Sequence, residues 1–190
     1  YLIIGIILGG RIGYIVFYNF SYYLDNFLDI FKIWQGGMSF HGGLLGIIVA
    51  SIIFAKKNNQ DPFIYMDQVS LVAPIGIFLG RLANFINSEL YGTTSNVPWS
   101  VIFVKVDNLT RHPSQLYEMF GEGLLLYFVM LWHRSRSQGA SGQLGAWFLL
   151  HYGWIRFLLE FYREPDLHIG FVIAGLSMGQ CLSVFMILCG

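Results

Sequence analysis

Charged side chains inside strongly apolar segments are the residues of this 190-residue chain most able to do chemistry. They are Arg11, Arg81, Arg156, Glu118, Glu122 and Glu160. An ionisable group within a membrane span costs several kcal/mol unless a partner or water solvates it, so such residues are usually functional. Each one taken alone is equally well explained by a buried partner or by snorkelling to the interface. As a set, they predict a polar cavity.

The segment 80–92 is the most informative of these regions. At about 100° per residue, four of its polar side chains fall within an arc of roughly 120° on one helix face. They are Arg81, Asn84, Asn87 and Ser88. A guanidinium backed by amides suits a phosphate or phosphodiester, because it binds two oxygens at once and the amides add hydrogen bonds. A structural Arg–Glu pair, such as one between Arg81 and Glu89, is the alternative.

A second polar stripe contains Tyr152, Arg156 and Glu160, spaced i, i+4, i+8 along one helix face. Arg156 and Glu160 can satisfy each other as a helical pair. Inside a membrane such a pair is expensive to build for stability alone. We therefore interpret Arg156 as a second arginine that faces a phosphate.

Two histidines are candidate proton acceptors. His41 lies between Gly36-Gly37 and Gly42-Gly43, which permit tight turns and close approach of a ligand. A helix that begins there would also present free N–H groups to an anion. His112 precedes Pro113 and a helix start, whose next polar residues can face the cavity: Gln115, Tyr117 and Glu118. A lone histidine is more often a hydrogen-bonded core residue, but the glycines favour a general base at His41.

The elements that position these residues are predicted to be membrane helices. The chain is 55% hydrophobic and only 12% charged, whereas soluble domains carry about 25% charged residues. Six segments are long and apolar enough to be candidate spans. They are residues 2–20, 42–55, 69–87, 114–132, 144–161 and 170–190. The predicted fold is an all-α polytopic membrane bundle forming one domain, residues 1–190.

The charges set the predicted orientation. Lys+Arg and Asp+Glu both number 11, so no net charge favours nucleic acid as a partner. Lys56, Lys57, Arg134 and Arg136 cluster at helix ends on one side, which predicts that this side is cytoplasmic. The longest loop, residues 89–111, then lies on the extracytoplasmic side. Its β-like run, residues 99–106, predicts a small strand pair.

Both chain ends lie inside apolar runs, and we expect truncations at Tyr1 and Gly190. Cys181 and Cys189 have no histidine or cysteine at ligand spacing, which favours buried hydrophobic side chains over a metal site or disulfide. The sequence has no phosphate-binding loop, dinucleotide fingerprint, HExxH or CxxC pair, so we expect neither cofactor nor metal.

Six blocks, in order along the chain, resemble the prolipoprotein diacylglyceryl transferase family. They are GGRIGY at 9–14, GMSFHGG at 37–43, GRLANFINSELYG at 80–92, RHPSQLYE at 111–118, RFLLEFYREPD at 156–166 and SMGQCLS at 177–183. Each block alone is weak evidence, but six in this order are highly specific. The departures are mild: Ala83 and Ser88 stand where glycine is common, and Tyr91 replaces a tryptophan.

The resemblance implies an enzyme of the bacterial inner membrane with seven spans and no cofactor. Such enzymes transfer sn-1,2-diacylglyceryl from phosphatidylglycerol to the lipobox cysteine of a prolipoprotein signal peptide. The product is a thioether, glycerol phosphate is released, and the reaction takes place on the outer face of the membrane. Seven spans against six here implies an absent N-terminal span, on which the family carries a further functional tyrosine.

The resemblance also assigns site residues. The family's essential histidine corresponds to His41. Its phosphatidylglycerol signature corresponds to residues 80–92, in which the important positions are Arg81, Asn84, Glu89 and Gly92. The functional residues further along fall at His112, Tyr152, Arg156 and Glu160.

The mechanistic hypothesis assigns a role to each group. Arg81 and Arg156 hold the phosphodiester and stabilise the charge that grows on the leaving glycerol phosphate. His41 helps to remove the proton of the cysteine thiol, and His112 remains a second candidate for that role. Glu160 orients Arg156, and Asn84 binds the head group.

Two other classes were weighed. A transporter also carries charged groups in its spans, but it would be expected to show repeated halves, and none is visible in the sequence. A membrane scaffold would explain the glycines at positions 5, 9 and 13, which predict a close-packing helix face. It would leave the arginine and glutamate stripes without a purpose.

Overall fold

The computed structural model describes residues 1–137, 139–164, 171–173 and 175–190. Its helices are α1 Leu2–Tyr18, α2 Phe20–Asp25, α3 Phe40–Lys57, α4 Pro62–Asn87, α5 Ser114–Glu118, α6 Leu126–Arg136, α7 Gln143–Leu159 and α8 Met178–Cys189. Its strands are β1 Val101–Ile102, β2 Thr110–Arg111, β3 Phe171–Ile173 and β4 Leu176–Ser177. The chain forms two compact units, Tyr1–Met66 and Asp67–Gly190. Each is described by itself.

Glycine-to-glycine packing of α1 against α3 holds the first unit together. A Cβ added to Gly5 would lie 2.5 Å from the Gly46 carbonyl oxygen, and one added to Gly9 would lie 2.8 Å from the Gly46 Cα. A Cβ on Gly13 would lie 2.8 Å from the Gly42 Cα. Helices that approach this closely need small residues at the contact. The prediction that these glycines form a close-packing face is confirmed.

Arg11 ties the loop between α2 and α3 to the first helix. Its Nε donates to the Ile30 carbonyl at 2.9 Å, and its two terminal nitrogens donate to Gly36 at 2.6 Å and to Asp29 at 2.5 Å. The side chain is 4% exposed and sits beside the Tyr23 ring, 5.2 Å from its centroid. The loop consists of two short 3-10 turns, Phe27–Phe31 and Ile33–Gln35. Backbone carbonyls therefore solvate this buried cation.

The start of α3 agrees with the predicted helix entry near His41. Gly36 and Gly37 have φ angles of 85° and 79°, which only glycine adopts without strain. Ser39 is the N-cap, and its hydroxyl accepts a hydrogen bond from the Gly42 N–H at 3.2 Å. His41 follows as the second residue of the helix and is exposed.

A π-helical segment is the unusual element of the second unit. Met119–Leu125 joins α5 to α6, so the chain stays helical from residue 114 to residue 136. Gly123 lies against α4 in this segment, where an added Cβ would be 2.7 Å from the Phe78 Cβ. The core of the unit follows directly, with Leu126 and Met130 of α6 packed on Leu144 of α7.

The N-terminus of α7 is capped by a side chain from another helix. Asp67 of α4 accepts hydrogen bonds from the Gly142 N–H at 2.9 Å and from the Gly145 N–H at 2.8 Å. These donors have no partner within their own helix. The carboxylate thus satisfies the first turn of the helix that carries Arg156.

Two short antiparallel strand pairs complete the second unit. In the first, Val101 pairs with Arg111 and Ile102 with Thr110. One strand of this pair lies in the predicted run 99–106, and its partner lies just beyond that run. In the second, Phe171 pairs with Ser177 and Ile173 with Leu176.

Helices overlap all six predicted spans, but overlap alone does not show that a helix crosses a membrane. Within the described residues, α3 and α4 are long and apolar enough to cross a membrane by length and composition, and α1 and α8 are shorter apolar helices. The helix predicted from 170 to 190 begins only at Met178, since residues 171–173 and 176–177 are strands. A turn at Gly175 and a capping box between Ser177 and Gln180 set this later start. Residue 170 lies outside the described residues.

Candidate functional site

Three arginines and three glutamates form one ion cluster in the second unit. The members are Arg81, Arg156, Arg163, Glu118, Glu122 and Glu160. Their formal charges balance. Glu118 and Glu122 are fully buried. The six residues come from three segments of the chain that are more than thirty residues apart in sequence. We call this set the ion cluster.

Arg156 is the centre of the ion cluster. Its Nη1 donates to Glu118 Oε1 at 2.5 Å and to Glu122 Oε1 at 3.1 Å. Its Nη2 lies 2.5 Å from Glu160 Oε2, one turn along α7. The predicted i, i+4 pair of Arg156 and Glu160 is therefore present. Two further carboxylates, from the helix that begins at residue 114, neutralise the same guanidinium.

Arg81 occupies the other side of the same two carboxylates. Its Nε lies 3.0 Å from Glu118 Oε2, and its Nη2 donates to Glu122 Oε2 at 3.2 Å. Among the residues that the structure describes, nothing accepts a hydrogen bond from its Nη1. The side chain is also more exposed than that of Arg156, 15% against 9%. Arg81 therefore keeps a donor for a ligand.

The alternative of a structural Arg–Glu pair is thus observed, with Glu118 and Glu122 as the partners of Arg81 and not the example Glu89. Glu89 instead accepts a hydrogen bond from the Asn84 side-chain amide at 3.1 Å. The geometry explains this, because α4 ends at Asn87 and Ser88 adopts a φ of 63° that turns the chain away. A left-handed φ favours glycine, so serine is an unusual residue here.

The π-helical segment brings the two carboxylates to the ion cluster. Glu118 ends α5, and Glu122 lies within Met119–Leu125. The intervening Gly121 faces α7, where an added Cβ would lie 3.0 Å from both Ile155 and Leu159. Small residues here let the helix that carries both glutamates approach the helix that carries Arg156.

Glu160 is held from its other side by the start of α8. The Ser177 hydroxyl donates to Glu160 Oε1 at 2.9 Å, and a Cβ on Gly179 would lie 2.7 Å from the carboxylate carbon. Ser177 is also the N-cap of α8, where it accepts the Gln180 N–H at 3.2 Å. Contacts from the start of α8 thus hold the carboxylate of Glu160, for which we predict an orienting role toward Arg156.

Gly92 lies where three segments of backbone cross. Its N–H donates to the His112 carbonyl at 3.1 Å, and its own carbonyl accepts from Arg111 at 3.1 Å. A Cβ would lie 2.6 Å from the Tyr162 carbonyl oxygen and 2.8 Å from the His112 Cβ. No residue with a side chain fits here without displacing backbone.

Arg111 anchors the loop of residues 89–111 and was not among the predicted site residues. It donates to Asp107 at 2.7 Å and to Glu164 at 3.2 Å. The hydrogen bond from Arg111, followed by one from the Leu109 N–H, lowers the pKa of the Asp107 carboxyl below its usual value. The Asp107 hydrogen bond in turn raises the pKa of Arg111. This pair fixes the loop that carries Gly92 and His112.

The remaining predicted residues lie in three surroundings. His112 is half-buried, and its Nδ1 lies 3.1 Å from the Tyr117 hydroxyl. Tyr152 is half-buried at the edge of the core and stacks on Phe148 with ring centroids 5.5 Å apart. His41 belongs to the first unit, where its ring lies 5.6 Å from that of Phe40.

The structure thus brings Arg81, Arg156 and Glu160 together, and Glu118 and Glu122 join them. The sequence placed both glutamates on a helix that can face the cavity without assigning them a role. The available signal was their spacing of four within an apolar segment, which puts both on one helix face. Arg163, to which the sequence assigned no role, lies 4.0 Å from Glu118.

A pair of histidines, His133 and His151, lies apart from the ion cluster. His133 and His151 lie with their Nε2 atoms 2.9 Å apart, and the His133 ring stacks on Trp147 at 4.2 Å. Two ligands alone do not make a metal site. In the described part of the chain, no group of three or more histidine, cysteine or acidic residues is arranged to hold a metal ion.

Comparison with known proteins identifies the family. The family model described as prolipoprotein diacylglyceryl transferase matches residues 1–190. The chain is 50% identical over 191 residues to a phosphatidylglycerol–prolipoprotein diacylglyceryl transferase of Bordetella parapertussis, covering all of the chain and 72% of that relative. It is 51% identical over 188 residues to the protein of that name from Polynucleobacter asymbioticus, covering 99% of the chain and 72% of the relative. For the protein of that name from Methylobacillus flagellatus the identity is 49% over 187 residues, covering 98% and 71%. With five of the six members of its ion cluster in the matching blocks, the chain belongs to the prolipoprotein diacylglyceryl transferase family.

Proposed function

We propose that the protein transfers the sn-1,2-diacylglyceryl group of phosphatidylglycerol to the lipobox cysteine of a prolipoprotein signal peptide. The names of the relatives carry the donor and the acceptor class. The observation in the chain itself that supports this most is the ion cluster, which holds two arginines of the matching blocks in place inside an apolar helical unit. Such an arrangement suits a lipid whose head group is anionic.

Arg81 is the arginine that contacts the phosphate in this proposal. Its Nη1 is available, whereas both terminal nitrogens of Arg156 are committed to carboxylates. The two fully buried glutamates prevent either guanidinium from turning away before the lipid binds. Arg156 then holds Glu118 and Glu122 in position, and these two carboxylates in turn fix the orientation of Arg81. Donors fixed in advance stabilise developing charge without reorganisation during the reaction.

The carboxylates of the ion cluster suit the glycerol head group. Within the described residues, Glu118 Oε2 and Glu160 Oε2 receive no hydrogen bond of good geometry, although each lies within 3.0 Å of an arginine nitrogen. Hydroxyl groups of a glycerol are donors that such acceptors can take up. Asn84, which donates to Glu89, supplies a further amide at the same end of α4.

The chemical step exchanges one bond for another. The cysteine sulfur attacks the glyceryl carbon that bears the phosphate, a carbon–sulfur bond forms, and the carbon–oxygen bond to the phosphate breaks. The electron pair leaves with glycerol phosphate. The thiol proton passes to a base, because the thiolate is the nucleophile. We assign that base to His41, which is exposed at the start of α3.

We also propose the arrangement in the bacterial inner membrane. The spans are α1, α3, α4, the helix from residue 114 to 136, and α7, with α8 as the described part of a sixth; the family has seven. Lys56 and Lys57 occupy the last turn of α3, and Arg134 and Arg136 that of α6. Positive charges at these ends favour a cytoplasmic location for them. The loop 89–111 and the site then face the extracytoplasmic side.

A transfer assay tests the proposal. The purified protein is placed in nanodiscs of phosphatidylglycerol and mixed with a peptide that contains a lipobox cysteine. We expect the peptide to gain the mass of a diacylglyceryl group by mass spectrometry, with one glycerol phosphate released per peptide. Nanodiscs of phosphatidylcholine should give neither product. Release of glycerol phosphate without peptide modification, or neither product from phosphatidylglycerol, would contradict the proposal.

Variants assign the roles. Arg81→Ala should lower transfer by about a hundredfold or more, because it removes a donor aimed at the phosphate. Arg136→Ala is the matched control, since this exposed arginine lies over the Trp132 ring, 4.7 Å away, and has no ion pair among the described residues. Transfer by Arg136→Ala should equal that of the unmodified protein. Near-normal transfer by Arg81→Ala would remove Arg81 from the phosphate site, and near-normal transfer by His41→Ala would remove the base role.

A further inference from the structure

We infer that Trp99 and Tyr117 are positioning residues that hold His112 as its neutral Nε2–H tautomer, so that His112 donates a hydrogen bond and is not the base. The tautomer follows from contacts within the second unit. The catalytic consequence rests on the proposed function.

Three side chains, from the loop 89–111, from the residue that follows it and from α5, form a hydrogen-bonded chain. Trp99 Nε1 donates to the Tyr117 hydroxyl oxygen at 2.7 Å. The same oxygen lies 3.1 Å from His112 Nδ1. An indole N–H is only a donor, and a phenol O–H both accepts and donates. The first bond therefore has a fixed direction, from Trp99 to Tyr117.

The direction of the second bond follows from what the Tyr117 hydroxyl has left to do. With Trp99 donating to its oxygen, its own proton needs an acceptor. Within the described part of the chain, His112 Nδ1 is the acceptor in reach of this hydroxyl. Were Nδ1 protonated, it would compete with the indole N–H as a second donor to one oxygen, and the phenol proton would have no acceptor among the described residues. Nδ1 is thus the acceptor, and the proton of the neutral ring sits on Nε2.

Packing prevents the imidazole from reversing its two nitrogens. Tyr162 packs edge-on against His112 with centroids 5.3 Å apart, and against Tyr117 at 5.8 Å. The backbone of His112 is bonded on both sides, donating to the Thr93 carbonyl at 3.0 Å and accepting from the Gly92 N–H at 3.1 Å. A ring flip would break the hydrogen bond between Tyr117 and His112 Nδ1, for which the described residues show no replacement.

This tautomer separates the roles of the two candidate histidines. His112 presents an N–H at Nε2, which can donate to an oxygen of the departing glycerol phosphate. It cannot accept the thiol proton at Nε2, where it already carries one, or at Nδ1 without losing the Tyr117 bond. Proton removal is then left to His41. The resemblance alone had left this choice open.

Nitrogen NMR tests the tautomer directly and needs no activity. The full chain is labelled with ¹⁵N-histidine in nanodiscs at a pH where the ring is neutral, and His112 is assigned by the signals missing in His112→Gln, one of five histidines. We expect a protonated Nε2 and an unprotonated Nδ1 shifted by an accepted hydrogen bond. A protonated Nδ1 in the unmodified protein would overturn the inference.

Two variants separate this bond from the ordinary preference of a free imidazole. Tyr117→Phe should move the Nδ1 signal toward that of an unbonded nitrogen and allow both tautomers. Trp99→Phe should shift it in the same direction by less, because Tyr117 keeps its hydroxyl but loses the donor that orients it. Unchanged His112 signals in Tyr117→Phe would show that the chain of bonds does not set the tautomer.

Transfer assays test the consequence. Glutamine places an amide N–H near the position of Nε2, whereas asparagine places its amide near Nδ1. We expect His112→Gln to retain more transfer than His112→Asn, with Tyr117→Phe above both. Equal loss in His112→Gln and His112→Asn would contradict a donor at Nε2. Absence of transfer from the unmodified protein would contradict the proposed function and leave the NMR result standing.

Discussion

Two buried arginines, one in each unit, are stabilised in different ways. Counted over the whole residue, Arg11 is 4% exposed and Arg156 is 7% exposed. Arg11 donates to backbone carbonyls of the loop between α2 and α3, at 2.5 to 2.9 Å for its three shortest bonds. Arg156 meets three carboxylates. The carbonyl dipoles around Arg11 fix the loop but leave the full positive charge of the guanidinium. The carboxylates around Arg156 balance its charge, and this balance can change when an anion binds.

The surroundings of the two arginines differ to match. The first unit relies on glycines that let α1 and α3 touch, so its stability depends on the absence of side chains. The second unit buries Glu118 and Glu122 completely beside its apolar core. Buried ion pairs contribute little net stability, yet breaking one is costly. The comparison therefore predicts different responses to substitution.

The largest effect is expected at the ion cluster. Arg156→Gln removes the guanidinium that Glu118, Glu122 and Glu160 share, and it should lower the free energy of unfolding by about 3–5 kcal/mol. Thermal unfolding in detergent measures this. Adding Glu118→Gln should restore part of the stability because one uncompensated charge is removed. A double variant no more stable than Arg156→Gln would show that charge is not the reason.

A middle effect is expected where α1 meets α3. Gly46→Ala places a methyl group 2.7 Å from the Gly5 carbonyl carbon, so the helices must separate, at a cost of about 1–3 kcal/mol. Gly43→Ala is the matched control in the same helix, since its methyl would lie 3.8 Å from the nearest atom. Unfolding midpoints of the two variants should differ clearly. Equal midpoints would show that this contact is not tight.

The smallest effect is expected for Arg11→Lys. Lysine keeps the positive charge but cannot reach the carbonyls of Asp29, Ile30 and Gly36 together, so we expect a loss of about 1 kcal/mol. Amide hydrogen exchange across 27–37 should become faster. Arg156→Lys is the comparison, and it should be more destabilising because three carboxylates lose a forked partner. The reverse order would overturn the distinction between the two arginines.

Local patterns made the helices and one stripe of the site predictable from the sequence. The i, i+4 spacing of Arg156 and Glu160 correctly placed them side by side. The partners of Arg81 were not predictable, because Glu118 and Glu122 lie about forty residues away and the nearer Glu89 is turned off the helix at Ser88. Tertiary approach decided the pairing, and no periodicity encodes it.

The late start of α8 was missed for a local reason. Hydropathy averaged over residues 170–190 hides the capping box of Ser177 and Gln180 and the turn at Gly175. Residues 165–166 of the block at 156–166 lie outside the described residues. The positions relative to the membrane, the six spans and the role of each site residue stay predictions.

The π-helical segment makes the structure sensitive to the number of residues between Glu118 and α6. Each residue of a helix turns the chain by about 100° and advances it by about 1.5 Å. Deleting one residue within Met119–Leu125 would therefore rotate α6 by a quarter-turn or more relative to Glu118. Either the glutamates would leave the arginines, or Leu126 and Met130 would leave Leu144. The wider π-helical turn thus sets the rotation of α6 relative to Glu118. It lets one continuous helix place its glutamates in the ion cluster and its Leu126 and Met130 in the apolar core.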